Sequence, residues 1–263
     1  MVERIRDQAA LLQQGTVGIF ASRPSDAWAA RLAARAALRT SPNEVRLIGT
    51  SEALEPLEDL ATDVSLTPRA SKHLAKGFAK VWAGCDSLVF PAASASDMPA
   101  IRQATKNFEG AIILGTAPSF GPKAKQLGSN GGDVAVVCCP ESLGVSLGTD
   151  ADSVQSDRFG AVRAFSGMAE ATVVLADSQP MVALPATALG VLGKSVESFH
   201  SRGVRAATCG VMGAVACWTE TSIAALAGIH LMVQAMDAWA EKNKGRSAPL
   251  AMEVADSITW MAH

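Results

Sequence analysis

Serine, arginine and lysine placed just after apolar runs are the residues of this sequence best suited to chemistry, and the chemistry is the holding of anions. Ser22-Arg23 follows VGIFA and precedes a helix-prone stretch. A hydroxyl, a guanidinium and free helix-start amides would meet there; a serine cap beside a solvated arginine is the plainer alternative. Gly115-Thr116 closes AIILG, where glycine lets a ligand or another backbone come close. Lys123 and Lys125 follow in a loop that could meet phosphates, or simply form a turn with surface lysines. Arg158 and Arg163 lie on a predicted helix with Ser166-Gly167 further along it. Arg158, near the start of that helix, is placed to bind a phosphate, although exposed arginine is the default. The anion-binding set is therefore Ser22, Arg23, Gly115, Thr116, Lys123, Arg158, Arg163, Ser166 and Gly167. Asp177, ending VVLAD, suits a polar ligand contact or the capping of the next turn.

Other motifs carry less. ALGVLGKS, Ala188 to Ser195, fits a relaxed phosphate-loop pattern, but a true phosphate loop follows its strand directly and the preceding PATALGVL is helix-prone. A helix ending in glycine and lysine explains it as well. Cys139 and Cys209 each close a predicted strand, as a paired-cysteine acid–base site would need; neither has a neighbour that would lower its thiol pKa. His73, His200, His230 and His263 are scattered without metal-ligand spacing. No catalytic residue, cofactor or metal ligand is assigned.

The elements that must position these residues alternate. Strands are predicted at 17–21, 45–49, 87–90, 111–115, 133–138, 172–176 and 204–209. Helices are predicted at 2–14, 24–39, 68–83, 97–108, 158–169, 186–200 and 214–243, with 52–67 ambiguous. Uninterrupted apolar strands between helices read as buried parallel strands. The fold expected is α/β, a doubly wound, mostly parallel Rossmann-like sheet, with sites where strand ends meet helix starts. Two loops rich in glycine and serine, Thr116–Gly132 and Pro140–Asp157, follow strands and should lie at that edge. The chain is divided as a Rossmann-like domain over 1–210 and a C-terminal helical extension over 211–263, packed on it or on a partner; whether residues 1–83 share the sheet is open.

Composition bounds the rest. The 263 residues are 49% hydrophobic and 18% charged with a net charge of −2, which describes a folded protein without the basic field of a non-specific nucleic-acid binder. The five cysteines contain no CxxC, so reduced thiols in a cytoplasmic protein are expected. No signal peptide is read at the N-terminus, and the apolar tract 211–240 contains Glu220, His230, Gln234 and Asp237, so no membrane partner is expected.

From Ser87 to Val196 the order of parts resembles the DNA-processing protein A (Smf) family, a Rossmann-like group. SLVFPA is followed by AIILGTAPSFGPKAKQL, DVAVVCC and a loop, then RFGAVRAFSGMAEATVVLAD and PATALGVLGKSV. The resemblance implies binding of nucleotide or single-stranded DNA phosphates along the strand-end edge, with dimerisation. Two other readings stand beside it. One is a small-molecule enzyme holding a phosphorylated cofactor or nucleotide, flavoprotein-like in view of PAASASDMP at Pro91–Pro99. The other is an oligomeric assembly protein using the helix near 214–243, with Trp218, Met232, Met236 and Trp239 on its face.

Overall fold

Short aliphatic and β-branched runs supply the strands, and the central ones are buried on both faces, as parallel strands between helical layers must be. The computed structural model describes residues 15–40, 42–60, 63–69, 82–116, 127, 133–185, 189–191, 197–246 and 248–259. Within them β1 (Thr16–Ala21) passes through a 3-10 turn at Pro24–Asp26 into α1 (Ala27–Arg39). β2 (Glu44–Thr50) is followed by α2 (Ser51–Leu54), a 3-10 stretch at Glu55–Leu60 and β3 (Ser65–Arg69). Then come β4 (Ser87–Ala93), α3 (Met98–Thr105), β5 (Ala111–Thr116) and β6 (Val134–Cys138). α4 (Pro140–Leu147), α5 (Ala151–Ser156) and α6 (Arg158–Ala169) lead to β7 (Thr172–Leu175). β8 (Met181–Ala183), β9 (Leu189–Val191), a 3-10 turn at Glu197–His200, α7 (Arg202–Ala216), α8 (Thr221–Lys242) and α9 (Ala251–Asp256) complete the order.

The described strands form one nine-stranded sheet in the order β3-β2-β1-β4-β5-β6-β7-β8-β9. β1 to β7 pair in parallel, and β8 and β9 are added antiparallel at one edge. The chain winds outward from β1 to β3 and then returns beside β1 with β4, so the sheet is doubly wound and its direction reverses between β1 and β4. Val17, Ile19, Leu47, Val89, Ile113 and Val137 face the layer that contains α1, α7, α8 and α9. Phe20, Ile48, Phe90, Ile112, Val136 and Leu175 face the layer built from α3 to α6. Each fully buried aliphatic or aromatic side chain contributes roughly 1.5–3 kcal/mol against exposure. α7 lies close against the sheet because it is glycine where it touches. A Cβ on Gly213 would sit 2.3 Å from Val89 Cγ2, and one on Gly210 would sit 2.0 Å from the carbonyl oxygen of Ala33 in α1.

Several expectations are corrected. The expected loop Pro140–Asp157 contains α4 and α5: Pro140 opens α4, Ser142 Oγ accepts from the Cys139 amide at 2.9 Å, and Gly148 closes the helix at φ 73°. Asp150 caps α5 by accepting from the Ser153 amide at 2.8 Å. The expected helix over 186–200 holds β9 and a 3-10 turn in its described parts, because an edge strand beside β8 competes successfully with alanine and leucine propensity. The expected strand 204–209 is the first half of α7, whose cap Ser201 accepts from the Val204 amide at 3.2 Å. The single helix expected over 214–243 is broken between Ala216 and Thr221. There Asp133 Oδ2 accepts from the Thr221 amide at 2.7 Å and restarts the chain as α8. The ambiguous stretch 52–67 contributes α2 and part of edge strand β3, and Pro68 lies in β3 rather than opening a helix. The expected helices 2–14 and most of 68–83 lie outside the described residues, as does most of the loop Thr116–Gly132.

α8 is long and apolar enough to cross a membrane by length and composition, but half of its most apolar window is buried inside the molecule. Met232, Met236 and Trp239 of this helix are buried in the chain's own core, and Trp218 packs against it.

Candidate functional site

At the C-terminal edge of the sheet, the ends of β6 and β7 and the first turn of α7 enclose a cleft of about 600 Å³, a size suited to a nucleotide-sized ligand. One wall is Cys139, Pro140 and Glu141, where β6 turns into α4; a second is Ala151, Asp152 and Gln155 of α5. Asp177 enters just past β7, and His200, Ser201, Arg202 and Arg205 close the remaining side.

The α7 side is built for negative charge. Ser201 spends its hydroxyl on the Val204 amide, while the amides of Arg202 and Gly203 precede the first intrahelical bond and stay available. Arg205 is only 9% exposed. Its Nη1 donates to the carbonyl of His200 at 2.7 Å, and among the described residues no carboxylate stands within ion-pairing distance of it. A guanidinium that buried normally has a counter-charge. Glu141 sits lower on the carboxylate scale than usual, first through a hydrogen bond with Cys139, then through a backbone hydrogen bond, with Arg205 adding attraction.

Asp177 supplies a buried negative charge in the same cleft. Its Oδ1 accepts from the Ser178 amide at 2.7 Å, its Oδ2 accepts from Gln155 Nε2 at 2.8 Å, and Arg158 Nη2 stands 3.3 Å from that same oxygen. Arg158 also donates to the carbonyl of Gln179, and among the described residues its buried Nε has no hydrogen-bond partner.

The remaining residues of the predicted set are dispersed. Ser22 and Arg23 lie at the β1–β4 crevice, where the sheet reverses. Arg23 Nε donates to Asp26 Oδ2 at 3.2 Å and Nη2 donates to Asp97 Oδ2 at 3.1 Å, so its charge is matched internally. The pocket there, lined by Ser22, Asp26, Asp97 and the stacked pair Phe20–Phe90, measures about 10 Å³, room for about one water. The Ser94–Asp97 part of PAASASDMP is a turn in which Asp97 Oδ2 accepts from the Ser94 amide at 2.9 Å. Gly115 is required by its own neighbours, since a Cβ would sit 2.5 Å from the Pro91 carbonyl oxygen and 2.9 Å from Cys209 Sγ. Thr116 ends β5, and Lys123 lies outside the described residues. Arg163 and Gly167 are exposed on α6, and Ser166 is buried with its hydroxyl donating to the carbonyl of Ala171 at 2.8 Å, just before β7. Ser166 is eight residues along α6 from Arg158, about 12 Å at the helical rise, and belongs to the opposite edge of the sheet.

Cys209 is in the middle of α7, fully buried, with its thiol pushed up to about 12 by burial, so the strand-end cysteine pair does not exist. The cleft residues that sequence reasoning passed over are Arg202 and Arg205. Ser201-Arg202 carries the same serine-cap signal as Ser22-Arg23, hidden by reading the residues after it as a strand. Among the described residues no group of three or more His, Cys, Asp and Glu side chains is arranged to hold a metal ion.

No family model matches the chain, and no curated protein matches it by sequence. Solved structures match it over almost its whole length. An ADP/ATP-dependent NAD(P)H-hydrate dehydratase from Bacillus subtilis, co-crystallised with ATP/Mg2+ and soaked with CoA, superposes with a TM-score of 0.76 at 15% identity, covering 93% of this chain and 89% of that one. A ribokinase-like superfamily protein from Enterococcus faecalis V583 gives a TM-score of 0.70 at 9% identity, covering 93% and 85%. This chain has a ribokinase-like fold. Hydroxyethylthiazole kinase from Pyrococcus horikoshii OT3 shares it with a TM-score of 0.63 at 12% identity, covering 100% and 92%. The ribokinase-like neighbours overturn the resemblance to DNA-processing protein A. The order of strands and helices over 87–196 is common to many doubly wound sheets and does not mark that family.

Proposed function

We propose that this ribokinase-like chain is a small-molecule enzyme that binds a nucleotide, with the ligand's phosphates in the cleft at the start of α7. The observation that carries the reading is Arg205, a 9%-exposed guanidinium lining a ligand-sized cleft without a carboxylate partner among the described residues. An anion entering there would meet Arg205, Arg202 and the first amides of α7 together, and charge-assisted contacts of this kind are the strong ones. Structural neighbours support a nucleotide over other anions: one was crystallised with ATP/Mg2+, and a Bacillus subtilis pyridoxal kinase with a TM-score of 0.52 was solved as an ADP complex. The earlier DNA-binding reading is set aside on the same grounds.

The test is calorimetric titration of the purified chain with ADP, ATP and inorganic diphosphate, repeated on Arg205→Gln. Saturable binding that weakens by about tenfold to a hundredfold in the variant is the expected result. Equal binding by both proteins would remove Arg205 from the site, and no binding by the unaltered chain would overturn the reading.

A further inference from the structure

Resting on that reading of the cleft, we infer that Asp177 reads a single hydroxyl of the ligand's sugar, making the occupant a ribonucleotide recognised through one ribose hydroxyl. The argument is a count of acceptor positions. An ionised carboxylate offers about four hydrogen-bond acceptor positions. At Asp177 one is taken by the Ser178 amide on Oδ1 and one by Gln155 on Oδ2, whose other side is filled by the Arg158 guanidinium, an ion-pair partner 3.3 Å away. Among the described residues one position on Oδ1 remains.

The side chain is 11% exposed and lines the cleft that holds Arg205. A ligand filling that cleft therefore lies against this carboxylate. A nearly buried carboxylate with a spare acceptor is satisfied by a donor, and a phosphate at Arg205 brings no donor of its own when ionised. The donor must come from the part of the ligand attached to that phosphate, and a ribose hydroxyl is the donor a nucleotide carries there. An acidic residue just beyond a strand end commonly accepts from a ribose hydroxyl in doubly wound folds. Gln155 and Arg158 act as positioning residues: they fix the carboxylate's orientation from the side away from Ser178. Because only one position is open, one hydroxyl is read and the other is ignored.

The experiment compares ADP, 2′-deoxy-ADP, 3′-deoxy-ADP and inorganic diphosphate by calorimetry on the unaltered chain, on Asp177→Asn and on Gln155→Ala. The expected result is a tenfold to hundredfold loss for one of the two deoxy nucleotides only, a span about that of a hydrogen bond to a charged group. In Asp177→Asn that discrimination shrinks toward unity while diphosphate binding is retained, an outcome that loss of folding would not produce. In Gln155→Ala the discrimination falls in part, again with diphosphate unaffected. Equal binding of all three nucleotides, or equal penalties on both deoxy forms, would overturn the inference and leave the anion cleft standing. Failure of every probe, diphosphate included, would overturn the cleft reading and this inference with it.

Discussion

Ser87, the first residue of β4, donates from its hydroxyl to the carbonyl oxygen of Gly213 across 2.7 Å. A serine on the sheet reaches the backbone of a helix at that distance only if the helix lies directly on the strand with no side chain between. Gly213→Ala is accordingly expected to destabilise the fold by about 1–3 kcal/mol through overpacking against Val89. Gly210→Ala should cost more, because its new Cβ would meet the Ala33 backbone rather than a side chain that can turn away. Urea denaturation of the two variants gives the comparison, and equal midpoints for all three proteins would contradict it.

Arg205→Met separates stability from binding. A buried guanidinium without a matching carboxylate has a desolvation cost that a methionine of similar length does not carry. The ligand-free variant should unfold at a denaturant concentration equal to or above that of the unaltered chain. Stabilisation by added ADP, about 2.7 kcal/mol at a hundredfold excess over Kd, should disappear. A variant that is both destabilised and still stabilised by ADP would show that Arg205 holds the fold and not a ligand.

Arg158 and Asp177 form an ion pair with side chains 15% and 11% exposed. Removing one member leaves the other charge uncompensated, so Arg158→Leu is expected to destabilise by about 3 kcal/mol. The double variant Arg158→Leu with Asp177→Leu should recover much of that loss, since no lone charge remains. A double-mutant cycle on thermal unfolding measures the coupling, and additive effects would mean that the pair contributes little.

Strand positions were readable in the sequence because β1, β2, β4, β5, β6 and β7 are short apolar runs bounded by polar residues, and burial on both faces leaves little else for such runs to be. α6 was equally legible, from Arg158 to Ala169. α7 was not. VRAATC is β-branched at one end and short, and its helical state depends on the Ser201 cap together with glycines that fit against α1 and the sheet. Those are tertiary facts that no local window contains. The cleft followed the same division. Arg158 and Asp177 were noticed because each sits beside a recognisable strand or helix boundary, yet their contact joins residues on either side of β7. Arg205 was missed with α7. β9 reads as helix by propensity, and pairing with β8 decides otherwise.

Buried thiols predict a loss of stability on the alkaline side. Burial pushes Cys85 up to about 11 and Cys209 and Cys217 up to about 12, and it drives Cys138 upward as well. Unfolded thiols titrate near about 8.5, so the folded state holds these protons after the unfolded state has released them. The stabilisation is complete below the unfolded value and is lost as pH rises through the folded one. Between about pH 9 and 11 a fully buried thiol such as Cys209 should cost about 1.4 kcal/mol per pH unit. Urea midpoints taken across that window should fall steeply for the unaltered chain and less steeply for Cys209→Ala; parallel slopes would contradict this.

The place of α7 in the chain has a consequence for biosynthesis. This helix begins at Arg202 and contacts α1, β1, β4, β5 and β6, elements translated well before it. Until it leaves the ribosome, that face of the sheet has only α1 as cover, and the part of it under α7, with Val89 and Ile113, stays open. The polypeptide therefore cannot close its core domain by domain as it emerges. That face closes only once α7 has emerged, which leaves apolar surface exposed during translation by the order of the elements alone.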